Sequence, residues 1–240
     1  MIQIRAAALT DIGRVRRQNE DRFIIDEKRL VFGVADGVGG VPGGAEAAQA
    51  ARDFVLGAIR ALAPDRDPDL AAIVLGASRA VAAEGASVSP ETGIASTLTF
   101  GCIWGGCLRI AHVGDSRCYG LQSGRLVRLT QDHSVENEAS RRRKLGEVAH
   151  YAPGQARAIT QWLGGLALPQ PDFAEVPLDA GDRYLFCTDG VSGAVSDREI
   201  AEILLLPEEP DAQLRRLIGL VLRRGGLDNA TGVLLRVDEA

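Results

Sequence analysis

Four short stretches of this 240-residue chain place carboxylates beside glycine or asparagine: Asn19-Glu20-Asp21, Asp36-Gly37, Thr188-Asp189-Gly190 and Asp228-Asn229. Each falls at the end of a segment whose pattern predicts a strand. Glu20 precedes, and Asp36 follows, a pair of strands joined by the polar turn Asp26-Glu27-Lys28-Arg29, and antiparallel pairing brings those two positions to one open end. Asp189 closes a later strand and Asp228 lies just before another, so antiparallel neighbours would unite that pair too. Acids gathered in this way repel one another unless cations neutralise them. Oxygen-only ligation, without His or Cys, suits hard ions such as Mg²⁺ or Mn²⁺ rather than zinc. Two such ions about 3.5–4 Å apart can share a water and lower its pKa enough to supply hydroxide near neutral pH, which is the apparatus of phosphoester hydrolysis. The competing reading is that Asp-Gly pairs only form turns and that Glu20 and Asp21 are solvated charges. Four such sites at strand ends favour convergence, and spacing alone stops at a divalent-metal site.

The elements that must position these acids can be traced in order. Strands are expected over residues 3–9, 22–26 and 30–35, then a helix over 45–62 with Val55, Leu56, Ile59 and Leu62 at helical spacing. A second helix, over 69–83, follows the breaker stretch from Pro64 to Pro68. A β-rich block comes next, at 96–104, 107–113, 117–121 and 126–129, with Ser96, Thr97 and Trp104 expected in the sheet core. A polar helix over 134–144 ends at Gly146, and residues 147–157 show no period and read as an exposed loop. Strands over 173–176, 183–188 and 232–237 enclose two further helices. The first opens with a capping box at Ser196 and Glu199 and runs to Leu206; the second covers 211–224 and stops at Gly225-Gly226. Strands and helices group instead of alternating, which predicts an α+β fold in layers.

Bulk properties narrow the function. The chain is 46% hydrophobic and 25% charged, enough for one domain spanning residues 1–240 with a large core. Its net charge of −5, from 27 basic and 32 acidic residues, offers no general attraction to nucleic acid or an anionic membrane. The N-terminal residues lack a signal-peptide pattern, and no apolar run approaches the roughly 18 residues that span a bilayer. Cys102, Cys107, Cys118 and Cys187 form no CxxC pair and read as buried free thiols, with Cys102 and Cys107 placed to face each other across a hairpin. A soluble, cytoplasmic, monomeric protein is expected. Gly39-Gly40 and Gly43-Gly44 lack the Lys-Ser/Thr that would make a nucleotide loop.

Seven stretches, in order, resemble the motifs of the metal-dependent protein phosphatases (type 2C), bacterial branch: Thr10-Asp11-Ile12-Gly13-Arg14-Val15-Arg16-Arg17-Gln18-Asn19-Glu20-Asp21, Asp36 to Gly40, Gly114-Asp115-Ser116-Arg117, Asp132-His133-Ser134, Leu163-Gly164-Gly165, Thr188-Asp189-Gly190 and Asp228-Asn229. The resemblance implies a central β-sandwich of two antiparallel sheets with a helix pair on each outer face, and hydrolysis of phosphoserine and phosphothreonine with two Mn²⁺ or Mg²⁺ ions. It implies that Asp36 bridges the ions, that Asp189 and Asp228 complete one shell, and that Glu20 and the Gly37 carbonyl serve the other. Asp21 would hold metal-bound water, and Arg16 would clamp the substrate phosphate with its fork of donors. Arg14 and Arg17 read as surface charges. The implied chemistry is in-line attack by a bridging hydroxide, with Asp36, Asp189, Asp228 and Arg16 as the catalytic set.

Two departures from the family pattern bear on that chemistry. Val38 stands where some members carry a histidine acid, which leaves protonation of the leaving group to metal-bound water or unassisted. Gly193 replaces an aspartate that elsewhere helps hold a third metal with the acid of Gly114-Asp115-Ser116-Arg117, so a third site at Asp115 is expected to be weak or differently completed; otherwise Asp115 organises its turn. Residues 134–160 correspond to a variable flap, whose Arg141-Arg142-Arg143-Lys144 run reads as a solvated helix face or, alternatively, a docking surface for acidic phosphoprotein segments. His133 and His150 read as structural. Expected partners are phosphorylated proteins, including a cognate Ser/Thr kinase or a forkhead-associated protein, with a type VI secretion locus as one setting. The rival functions are a non-catalytic phosphoprotein-binding regulator and a small-molecule phosphoesterase.

Overall fold

The computed structural model describes residues 2–38 and 42–239. Gly39 and Gly40, and any phosphate loop built on them, lie outside the described residues. Ten strands form two antiparallel sheets of five. One sheet has the order β1-β10-β9-β6-β7 and the other β2-β3-β4-β5-β8. In the first, β1 (Ile2–Asp11) pairs with β10 (Ala230–Glu239), followed by β9 (Arg183–Cys187), β6 (Arg117–Gln122) and β7 (Arg125–Arg128). The second contains β2 (Asp21–Asp26), β3 (Val31–Asp36), β4 (Leu98–Trp104), β5 (Cys107–Val113) and β8 (Asp172–Pro177).

The sheets pack face to face because each presents an alternating apolar face to the other. Phe32, Val34, Leu108 and Ile110 of one sheet meet Cys118, Tyr184, Phe186, Val233 and Leu235 of the other in a fully enclosed layer. On one outer face lie α1 (Gly44–Ala61) and α2 (Leu70–Val88), burying Val55, Leu56, Ile73, Val74 and Val81 against the opposite faces of β3 and β4. The other outer face carries α5 (Asp197–Leu204) and α6 (Pro210–Arg223), preceded in the chain by the single turn α4 (Asp189–Ser192). This is the layered α+β sandwich, helix pair on each side, that the resemblance implied. The capping box at Ser196 and Glu199 is present in both directions and starts α5 as expected.

The structure corrects several sequence expectations. The hairpin between β4 and β5 turns on Gly105-Gly106 alone, so Trp104 opposes Cys107 while Cys102 opposes Arg109. Cys102 and Cys107 therefore do not face each other; all four cysteines are free, three of them buried and Cys107 half-buried. Trp104, at the hairpin end, is only half-buried and is not a core residue. Helix α2 runs on to Val88, five positions beyond the expected end, and takes Gly85 into its interior, where the glycine is buried close against Ile94. Its 19 residues, at mean hydropathy 1.3, are long and apolar enough to cross a membrane by length and composition. Here the helix packs beside α1 through Ile73, Val74, Ala77 and Val81.

Helix α3 (Val135–Lys144) begins the flap. Its N-cap, Ser134, accepts from Asn137 N, and Glu136 and Glu138 lie in its first turn with the arginine run in its last. The segment beyond it is irregular, as expected from its lack of period. If the layer between the sheets holds the fold together, Phe186→Ala should cost about 3–5 kcal/mol through the lost burial and the cavity left behind. Urea unfolding checks this, and a loss below about 1 kcal/mol would contradict the packing described.

Candidate active site

The acids meet because the register of two strand pairs brings them together. Asp21 and Asp36 are directly opposed partners in β2 and β3, and Gly37 N donates to the Glu20 carbonyl at 3.2 Å, which draws residues 20, 21, 36 and 37 to one sheet end. In the other sheet β9 and β10 are antiparallel with Cys187 opposite Gly232, which places Asp189, just after β9, beside Asp228, just before β10. Arg16, Glu20, Asp36, Gly37, Asp189 and Asp228 line one cavity of about 200 Å³ at this end of the sandwich, and Asp115 lines it too. Of the residues singled out from sequence, Asp21 alone stands behind the cavity wall, 2% exposed.

Close backbone approach, not turn geometry, explains the two Asp-Gly pairs. A β-carbon on Gly37 would run into the Gly44 carbonyl, and one on Gly190 into the Asn229 carbonyl. Neither glycine has a positive φ. The reading of these pairs as ordinary turn formers therefore fails; they allow segments from different elements to touch behind the carboxylates. A side chain at Gly44, the first residue of α1, would approach Glu20 Oε1 to 2.8 Å, which sets the Glu20 carboxylate against a helix N-terminus, where negative charge is favoured.

Buried hydroxyls and amides fix the acids. Thr188 Oγ1 donates to Asp21 Oδ2 at 2.9 Å and accepts from Thr231 N. Asp36 N donates to Thr97 Oγ1 at 3.1 Å, Thr97 and Ser116 share a hydrogen bond of 2.9 Å, and Ser96 Oγ donates to the Asp36 carbonyl. Asn229 accepts from Glu20 N at 2.9 Å through its side-chain oxygen while its amide nitrogen donates to the Ile12 and Gln18 carbonyls. One asparagine thus ties the Arg16-bearing loop to the start of β10. His133 is structural as expected: buried, it accepts from Gly114 N and approaches Asp172 at 3.2 Å. His150 is exposed.

The electrostatics of the group are unfavourable without a counter-charge. Burial pushes the Asp36 carboxyl well above the usual carboxylate range, and the charges of Asp21, Asp189, Asp115 and Asp228 push it further. Burial raises Asp21 to about 6 despite the hydrogen bonds from Thr231 and Thr188. Asp115 rises to about 7 from burial and then from the charges of Asp189 and Asp132, and Asp189 is raised by burial and by Asp228. An organic cation already answers this need. Arg16 Nη2 is 2.8 Å from Asp228 Oδ2 and its Nη1 is 3.9 Å from Glu20 Oε2, and the hydrogen bond to Asp228 raises the guanidinium pKa. Among the described residues no three acids close on a single point. The donor set nevertheless fits hard divalent ions: oxygen atoms only, clustered around one cavity and spanned by a positive charge.

Against that geometry stand the comparisons with known proteins. The family model for protein phosphatase 2C matches residues 14–207. The chain belongs to the protein phosphatase 2C family. It is 37% identical over 240 residues to the serine/threonine protein phosphatase PstP of Mycobacterium tuberculosis, covering 98% of this chain and 45% of that protein. The chain therefore spans about half the length of this curated relative. The crystal structure of the PstP catalytic domain with two manganese ions superposes at a TM-score of 0.81, with 33% identity and 100% of both chains covered. PppA of Pseudomonas aeruginosa, described as a key regulatory component of its type VI secretion system, gives 0.79 at 26% identity, over 98% of this chain and 97% of that one.

Sequence reasoning did not single out Thr97, Arg157 or Ile159, which also line the cavity, or Ser116, which supports it from behind. Thr97 reads from sequence as a sheet-core residue, and Ser116 only as a member of the Gly114-Asp115-Ser116-Arg117 motif with no role of its own. Arg157 sits in the aperiodic flap, where no spacing signal exists. For a carboxyl whose folded pKa is raised, stability is lost as pH climbs from the ordinary carboxylate range through the folded value. Asp115→Asn should therefore stabilise the EDTA-treated protein more near pH 8 than near pH 5, by on the order of 1–2 kcal/mol, because only part of the penalty has accrued at the lower pH. Calorimetry at the two pH values checks this; an equal effect at both would contradict the repulsion described.

Proposed function

We propose that this chain is a metal-dependent protein serine/threonine phosphatase. The observation that carries the proposal is the set of carboxylates from two separate sheets around one cavity, with a guanidinium already among them. Family membership and the manganese-bound PstP structure support the same reading. Two Mn²⁺ or Mg²⁺ ions, when bound, would supply charge neutralisation and an activated water. Asp36, Asp189 and Asp228, with Glu20 and the Gly37 carbonyl, are the residues that would hold them.

The chain's own contribution is binding and orientation. Arg16 is the group suited to grip a phosphoryl dianion, since its planar fork matches two oxygens at once. Asp21, fixed by Thr188, lies directly behind Asp36 and would orient water from there. Val38 offers no proton to a leaving group. Asp115 lines the cavity, while Gly193 brings no side chain to it, so a third ion would be weakly held. Substrates are proposed to be phosphoproteins marked by a Ser/Thr kinase, with kinases or forkhead-associated proteins among them.

Hydrolysis of p-nitrophenyl phosphate should require added Mn²⁺ or Mg²⁺, stop with EDTA, and be lost in Asp36→Asn; turnover that survives chelation would overturn the proposal. Arg16→Ala should raise KM by roughly tenfold or more, the value of a charge-assisted bidentate contact, with metal affinity by calorimetry changing less. An unchanged KM would remove Arg16 from the phosphate site.

A further inference from the structure

The cavity has a second arginine on its wall. Arg157 lines it together with Arg16 and the acids, but it comes from the flap. The two cations are in different states. Arg16 is committed to Asp228 and Glu20. Arg157 is exposed and, among the described residues, pairs with none of the carboxylates around it. The arginines of the flap helix are engaged close to home: Arg142 Nε binds Glu147 at 2.7 Å, Arg143 Nε donates to the Ala139 carbonyl, and Arg141 approaches Asp172 at 3.8 Å. None of residues 141–144 lines the cavity, so the free charge at the mouth is Arg157 rather than the more conspicuous run.

The backbone that carries Arg157 is well held. Val135 N donates to the Ala158 carbonyl and Glu136 N to the Ala156 carbonyl, each at 3.0 Å, so the residues on both sides of Arg157 are fastened to the first turn of α3. Thr160 N donates to the His133 carbonyl at 2.8 Å, and His133 N in turn donates to the Gly114 carbonyl at 2.7 Å, linking the flap to the loop that carries Asp115. An arginine supported at both neighbours is aimed rather than trailing. A cavity of about 200 Å³ admits the head of one phosphorylated side chain, and the polypeptide that bears it must lie outside, across the rim.

We propose that Arg157 is a specificity-determining residue that pairs with an acidic side chain next to the phosphorylated residue of a protein substrate. This rests on the phosphatase reading for its catalytic test but not for its binding test. The partner chemistry follows from charge: an unpaired guanidinium at the rim selects a carboxylate, and its fork can take both oxygens.

The experiment compares three substrates in the full chain with Mn²⁺: a phosphothreonine peptide with flanking acidic residues, the same peptide with alanine in their place, and p-nitrophenyl phosphate. Arg157→Ala should raise KM for the acidic peptide about threefold to fivefold, the range of a solvent-exposed ion pair. It should leave kcat unchanged and should not alter the kinetics of the alanine peptide or the small ester, and Arg157→Lys should restore part of the loss. Added salt should erase the preference of the wild-type protein. An equal KM rise for all three substrates would overturn the proposal by placing Arg157 on the phosphoryl group, and no change for any would overturn it outright. Fluorescence anisotropy with labelled peptides carrying an uncleavable phosphonate repeats the comparison without turnover. Weaker binding of the acidic peptide to Arg157→Ala there, in a protein that cleaves nothing, would support the docking role while refuting the phosphatase reading. Equal binding by both proteins would refute the docking role alone.

Discussion

Like charges do not gather in a protein interior without a reason, and the sandwich is arranged to make them do so. Asp21, Asp36 and Asp189 lie at one end of the two sheets with their carboxyls raised first by burial and then by the charges of neighbouring acids. The layer of Phe32, Phe186, Tyr184 and their neighbours supplies the packing that opposes this repulsion. The direct opposition of Asp21 and Asp36 in the β2–β3 ladder then leaves no register in which those two acids move apart, since a slip would turn every inward side chain outward. The strain is local, and the enclosed layer that offsets it is distributed.

The support for the acids is polar and equally specific. Thr188, Thr97, Ser116 and Asn229 are buried and paired, and each connects a cavity-lining segment to a different part of the chain. Low-dielectric surroundings make such bonds stiff and make the loss of either partner costly. Asn229 is the clearest case, because it holds the loop preceding Glu20 and the entrance to β10 at once. Together with the bond from Arg14 N to the Gly226 carbonyl, that amide holds the Arg16 loop beside Asp228.

Legibility from sequence followed the range of the interactions. The hairpin around Lys28 and the closing strand are local patterns, so the convergence of Glu20 with Asp36 and of Asp189 with Asp228 was open to argument from strand ends alone. The same reasoning failed at Cys102 and Cys107, because the two-glycine turn sets a register that opposes Trp104, not Cys102, to Cys107. The end of α2 lies beyond its expected position because Gly85, which reads as a stop, is tolerated inside the helix where it packs close to Ile94. Thr97 read only as sheet core and Ser116 only as part of a motif, since their roles come from contacts with residues far away in the chain, and Arg157 sits in a segment without period. Gly37 and Gly190 carried a signal that was open to the wrong explanation: the small residue is needed for backbone crowding and not for a turn.

The pairing of β1 with β10 has a topographic result. Asp11 and Ala230 stand at the cavity end of this ladder, whereas Ile2 and Glu239 stand together at the other. Nine residue steps of extended chain separate those ends, roughly 30 Å at the usual rise. Both outermost strand tips thus leave the sandwich side by side at the pole opposite the mouth, so any segment fused there would start out of the path of an incoming macromolecule.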